Sequence, residues 1–160
     1  MLVAHGADSD RDELLGRIAR LTKLLDMWRR IGLEVYRSLF DGVVARLLLI
    51  AGDPDSARAW LDTSLEVTAR IGQLSYDAEI MRLRAHTATD ADQRQEELVA
   101  ARELARRQGF TLLELRAALD DFELRGQSAR DALVDVARRM PAEGGAPELA
   151  RAQELLAERA

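Results

Sequence analysis

The strongest constraint in this 160-residue sequence is a repeat of helical stretches closed by glycine. Ser56-Ala57-Arg58 and Ser128-Ala129-Arg130 both follow a glycine turn, and the two copies start 72 residues apart. A second pair halves that distance: Ser64 to Gly72 and Ala101 to Gly109 each end a helical stretch on glycine, offset by 37. A self-similarity of about 34–37 residues marks stacked two-helix units, because one such unit cannot bury its apolar face alone and must stack on a neighbour. Chains built this way make a surface for holding something.

Apolar spacing then places the helices. Helix 1 is expected to start after Asp8-Ser9-Asp10, with Leu14, Ile18, Leu21, Leu25 and Trp28 on one stripe, and to end at Gly32. Helix 2, over 33–51, is expected to turn Val35, Leu39, Val43, Leu47 and Ile50 inward. Gly52-Asp53-Pro54 supplies a stop, a cap and a proline at the first helical position. Helix 3 follows to Ile71, with Ala57, Trp60, Leu61, Ser64, Leu65 and Thr68 on one face. Helix 4 covers 76–86, and Thr89 or Asp90 caps helix 5 at 92–108, which carries Leu98, Ala101, Leu104 and Ala105. Helix 6, over 111–124, buries Leu112, Leu115, Leu119 and Phe122. Ser128 is the expected cap of helix 7 (129–140), with Ala129, Leu133, Val136 and Met140 inward. After the one long irregular segment, 141–147, helix 8 (147–158) presents Leu149, Ala152, Leu155 and Leu156 and is expected to cap the stack.

The expected fold is therefore all-α: about eight helices in antiparallel hairpins, stacked as a tetratricopeptide-like right-handed solenoid. Residues 1–9 read as a flexible leader and 10–160 as a single helical-repeat domain. The rich supply of Leu, Ala, Arg and Glu, all strong helix formers, agrees. A net charge of −5 argues against a nucleic-acid partner, and the arginines of helix 1 are spread around it instead of forming a stripe. With no cysteine, disulfides and thiolate metal sites are excluded. The most apolar run, Val43 to Ala51, is short and carries Arg46, so no membrane span or membrane partner is expected. No apolar core is evident in the first ten residues, so no signal peptide is expected and the expected location is the cytoplasm.

Specific strings add a resemblance. Ala105-Arg106-Arg107-Gln108-Gly109 followed by Leu113-Glu114-Leu115-Arg116-Ala117-Ala118 resembles a signature in the C-terminal repeat region of large bacterial LuxR-type transcriptional regulators and the related adenylate cyclases with a central ATPase domain. Asp77 to Arg84 is similar to another helix of that region, with Ala85 where glycine is usual. Gly52 to Leu65 and Ala146 to Leu156 are similar to two more. The resemblance covers roughly Trp28 to Ala157. It implies a sensory or protein-interaction module of a signalling or transcription-regulatory protein, with catalysis and DNA binding residing in other domains. No phosphate-binding GxxxxGK loop and no helix-turn-helix with a basic recognition helix is present here.

Candidate chemistry is thin. His5 falls in the expected leader and His86 at the frayed end of helix 4, and neither follows a Glu by three residues as a helical-bundle metal site would require. No cofactor, metal site or catalytic residue is expected, and the chain is read as no enzyme. Asp120, Asp121 and Glu123 read as a solvated face of helix 6, and Trp28 and Trp60 as core. Glu79 and Arg82 are spaced for an ion pair, and Glu114 and Arg116 are expected to find partners on neighbouring helices. In tetratricopeptide stacks the first helix of each pair lines the concave groove. By that rule helices 2, 4 and 6 offer Tyr36, Arg37, Asp77, Arg82, Arg84, Glu114 and Arg116 as groove contacts. Four of the seven are arginines, which suits an acidic peptide or a carboxylate ligand. The expected partner is a protein, a peptide or neighbouring domains of a longer chain. Alternatives are a scaffold that forms a homodimer and a sensor with a small-molecule pocket between hairpins.

Overall fold

A computed structural model describes residues 3–32, 37–72, 75–141 and 145–158, residues 3–10 in backbone only. It is all-helical: α1 (Val3–Arg30), α2 (Arg37–Ile50), α3 (Pro54–Ile71), α4 (Asp77–Ala85), α5 (Ala91–Gln108), α6 (Thr111–Arg125), a 3₁₀ turn (Gly126–Ala129), α7 (Arg130–Arg139) and α8 (Pro147–Glu158). Helix α1 starts at Val3, where a leader was expected. Extending a formed helix adds one backbone hydrogen bond per residue fixed, so propagation through the preceding segment is favourable where a new nucleus is not.

The 37-residue offset is visible in the caps. Asp53 accepts a hydrogen bond from Ser56 N at the start of α3, and Asp90 accepts one from Gln93 N at the start of α5. Both helices are 18 residues long and end at a left-handed glycine, Gly72 (φ 71°) and Gly109 (φ 76°), a conformation that any side chain would strain. Pro54 takes the first position of α3, where its missing N–H costs nothing. The cap expected at Ser128 is not made. Ser128 sits in the 3₁₀ turn, and its Oγ donates instead to the Arg125 carbonyl (3.1 Å). Ala57 and Ala129, the middle residues of the two Ser-Ala-Arg copies, are both buried and serve as packing positions.

Where one continuous domain was expected, the chain divides into two compact units, Met1–Tyr76 and Asp77–Ala160. Each has its own core. In the first, Ile18 and Leu25 of α1 and Val44, Ala45 and Leu48 of α2 are buried, as are Ala57, Leu61 and Val67 of α3. The short Gly52-Asp53 turn makes α2 and α3 an antiparallel hairpin, and Arg11 of α1 donates through Nε to the Ala51 carbonyl beyond the end of α2 (2.9 Å). In the second unit Leu115, Leu119 and Phe122 of α6 meet Leu133 and Val136 of α7 and Ala152 and Leu155 of α8. Burying a leucine-sized side chain contributes about 1.5–3 kcal/mol, so Leu155 ties α8 to this core.

The expected inner face of α2 is incorrect. Leu39, Val43 and Ile50 are exposed, Leu47 is half-buried, and Val35 lies outside the described residues. The buried face carries Ser38, Asp41, Val44, Ala45 and Leu48. This helix is apolar on nearly every side, so spacing alone does not choose a face. The choice falls to Asp41, whose partners lie on α1 and α3.

Candidate functional site

Two carboxylate-centred constellations stand out, one in each unit. In the first unit Asp41 is 1% exposed. Its Oδ1 accepts from Arg29 Nη2 (2.6 Å) and from the Trp60 indole Nε1–H (3.0 Å). The Arg29 guanidinium lies over the Trp60 ring, 5.1 Å from its centre, and also reaches Asp26 (2.9 Å). Arg37 Nε lies 3.2 Å from Asp41 Oδ2, but neither atom makes an aligned hydrogen bond. Beside these groups is a cavity of about 370 Å³ bounded by Arg29, Arg37, Asp41, Ser56, Ala59, Trp60 and Thr63. Trp60 is thus half-buried and part of a cavity wall, where a core position was expected. Trp28 is half-buried as well, edge-on to Phe40 at 5.3 Å.

The second unit carries a longer network across α4, α6, α7 and α8. Glu79, 1% exposed, accepts both Nε (2.8 Å) and Nη2 (2.9 Å) of Arg82. Arg82 Nη1 donates to Asp120 Oδ2 (2.5 Å), which His86 Nε2 also reaches (2.6 Å). Burial alone would lower the Arg82 pKa, but the hydrogen bonds and charges of Glu79 and Asp120 raise it. Burial pushes Asp120 up, yet the His86 hydrogen bond and the Arg82 charge outweigh it and hold Asp120 below its ordinary value.

Arg116 of α6 pairs with Glu148 of α8 (2.7 Å) and approaches Glu79 (3.7 Å). Arg139 of α7 grips buried Glu114 through two bonds (2.9 and 2.5 Å). Asp121 accepts two bonds from Arg125 and faces Arg102 of α5 at 3.6 Å.

These distances decide the groove residues. Tyr36 lies outside the described residues. Arg37 is in the first unit, beside the cavity. Asp77, Arg82, Arg84, Glu114 and Arg116 are in the second, where Arg82 and Glu114 are buried in ion pairs, Arg84 pairs with Glu97 (2.8 Å) and Arg116 with Glu148. Asp77 is buried too. The solvated face expected for Asp120, Asp121 and Glu123 holds for Glu123 only, because arginines from α4 and α5 and from the end of α6 draw the two aspartates inward.

A second cavity, about 340 Å³, is lined by His86, Arg94, Leu98, Asp120, Glu123 and Leu124. Among the described residues no group of three His, Cys, Asp or Glu could hold a metal ion. No described helix is long and apolar enough to cross a membrane.

Sequence reasoning missed Asp41, Arg29 and the role of Trp60. The available signal was a lone aspartate within the apolar run of α2. No family profile, curated protein or solved structure matches the chain.

Proposed function

We propose that this chain is a non-enzymatic, tetratricopeptide-like interaction or sensory module of a bacterial signalling or transcription-regulatory protein, working in the cytoplasm. What carries the reading is the arrangement of hairpins. Helices with matching lengths, caps and terminal glycines recur at 37 residues, and in the second unit arginine–carboxylate pairs tie α6 to α4 and α7. Such a scaffold presents a fixed surface, and its guest is a protein segment, a neighbouring domain or a small molecule. The ion pairs of Arg82, Arg84 and Arg116 make these residues part of the scaffold, so the guest-contacting groups are sought beside Arg37.

Peptide display against the immobilised chain, followed by hydrogen-exchange mapping, tests the protein-interaction arm. The reading expects enriched peptides whose footprint protects amides on one set of helices. A selection that enriches nothing beyond the bare support, repeated with the partner domains of a longer chain, overturns that arm.

A second reading, a scaffold that forms a homodimer, is favoured by one observation. Leu24 and Met27 on α1, Ile31 in the turn that follows it, and Leu39 and Val43 on α2 are large apolar side chains left exposed. Sedimentation over a wide concentration range decides it: a dimer that Val43→Glu dissociates supports the scaffold, and a strict monomer removes it.

A further inference from the structure

We infer that the cavity beside Trp60 binds a small aromatic carboxylate, with the Arg37 fork receiving the carboxylate and the Trp60 ring lying against the flat apolar body. This deepens the sensory reading above and rests on it. The two arginines beside the cavity are used unequally. Arg29 uses its nitrogens on Asp41 and Asp26. Arg37 meets Asp41 only through a poorly aligned Nε, which is buried without a hydrogen bond, as is the Asp41 Oδ2 it faces. Yet the Arg37 side chain is only 11% exposed. A guanidinium with so little exposure, standing in a cavity wall and tied to its carboxylate through one misaligned nitrogen, can turn its fork to a planar, bidentate acceptor.

Charge narrows the guest. Arg29 is held by Asp26 as well as Asp41, so Arg37, which meets Asp41 only through its misaligned Nε, is the less neutralised guanidinium of the wall. A monoanionic carboxylate balances it, whereas a phosphate dianion overshoots and faces Asp41 at close range. Shape narrows it further. A cavity of about 370 Å³ suits a small molecule, at the low end of ordinary ligand sites. The indole is already fixed, at its Nε1 edge by Asp41 and by the Arg29 guanidinium over its ring, so it offers a preset aromatic wall. Ala59 leaves room next to it, and Thr63 has its hydroxyl turned to the Ala59 carbonyl (2.9 Å).

The probe is 3-phenylpropionate, titrated into the whole chain while the Trp60 indole N–H is followed by NMR. The neutral 3-phenylpropanol, inorganic phosphate and the tripeptide Gly-Gly-Phe as free acid serve as comparisons. The expected result is a saturable shift of the Trp60 indole with 3-phenylpropionate. Binding of the alcohol should be at least about tenfold weaker, the cost of losing a charge-assisted pair. Arg37→Gln should weaken the acid by a similar factor and leave the alcohol unchanged. Ala59→Leu, which fills the space and leaves every ion pair in place, should abolish the shift even if Arg37→Gln folds poorly. Equal affinity for acid and alcohol, binding indifferent to both variants, or displacement by phosphate at equal concentration each overturns the inference. Tighter binding of the tripeptide at the same indole overturns its small-molecule part. Peptides that bind the chain while the indole stays silent leave the interaction module standing and remove this site.

Discussion

Asp41 in the first unit and Glu79 in the second are both 1% exposed carboxylates facing arginines, yet their surroundings differ in completeness. Around Glu79 the arginine is used up: Arg82 gives two bonds to Glu79 and a third to Asp120, and Arg116 bridges to α8. Around Asp41 one arginine is engaged, an indole completes Oδ1, and the fork of Arg37 is left beside a cavity. A filled network of this kind locks helices together. One whose second arginine is only loosely tied and stands in a cavity wall is arranged to receive something from outside. Composition does not distinguish them, since both are arginine and carboxylate on apolar helices.

The largest expected effect lies in the filled network. Glu79→Ala leaves Arg82 buried without its main acceptor and should cost about 3–5 kcal/mol in denaturant unfolding. A loss below 1 kcal/mol would show that water reaches Arg82 and that the network is not closed. In the first unit, Asp41→Asn keeps an acceptor for the indole but removes the charge facing Arg29 and Arg37. The expected cost is smaller, about 1–3 kcal/mol, and the Trp60 indole resonance should remain in place. A larger loss than for Glu79→Ala reverses the comparison.

Acid sharpens it next. Asp120 is held below its ordinary value, so unfolding takes up a proton more readily than the native state does. Its stabilisation is present above the ordinary carboxylate value and lost as pH falls through the lowered native one. Unfolding midpoints followed from neutral pH downward should therefore fall below about pH 4, with a shallower fall in Asp120→Asn. Parallel profiles would remove Asp120 from the network. The smallest effect belongs to Ser64, fully buried with its Oγ unpaired among the described residues. Ser64→Ala should be neutral or stabilise by up to about 1 kcal/mol, and a clear loss would reveal a partner for the hydroxyl.

Much of the fold is legible in the sequence because its signals are local. Asp53-Pro54, Asp90, Gly72 and Gly109 act within one helical turn, so the borders of α3 and α5 follow from a few residues each. The stripes of α1, α3, α6 and α7 are legible for the same reason. Helix α2 is not, since Leu39, Val43, Val44 and Leu48 surround it with apolar groups and both faces look inward. The sites were harder still. Arg82 and Asp120 are 38 residues apart, Arg116 and Glu148 are 32 apart, and only the packing of α4, α6 and α8 brings them together. Reading Asp120 and Asp121 as solvated failed because helical spacing shows which residues share a face, not which arginines lie across from it. The same blindness hid Arg29 and Asp41, which come from different helices and meet over Trp60.

One paired measurement addresses the central contrast most directly: urea unfolding of Arg37→Gln beside Arg82→Gln. Arg82 is engaged on three sides and Arg37 on one weak side. Arg82→Gln should therefore lose about 3–5 kcal/mol and Arg37→Gln no more than about 1 kcal/mol. Equal losses in the two variants would contradict the account, because the Arg37 fork would then be part of the scaffold and not a free receptor for a guest.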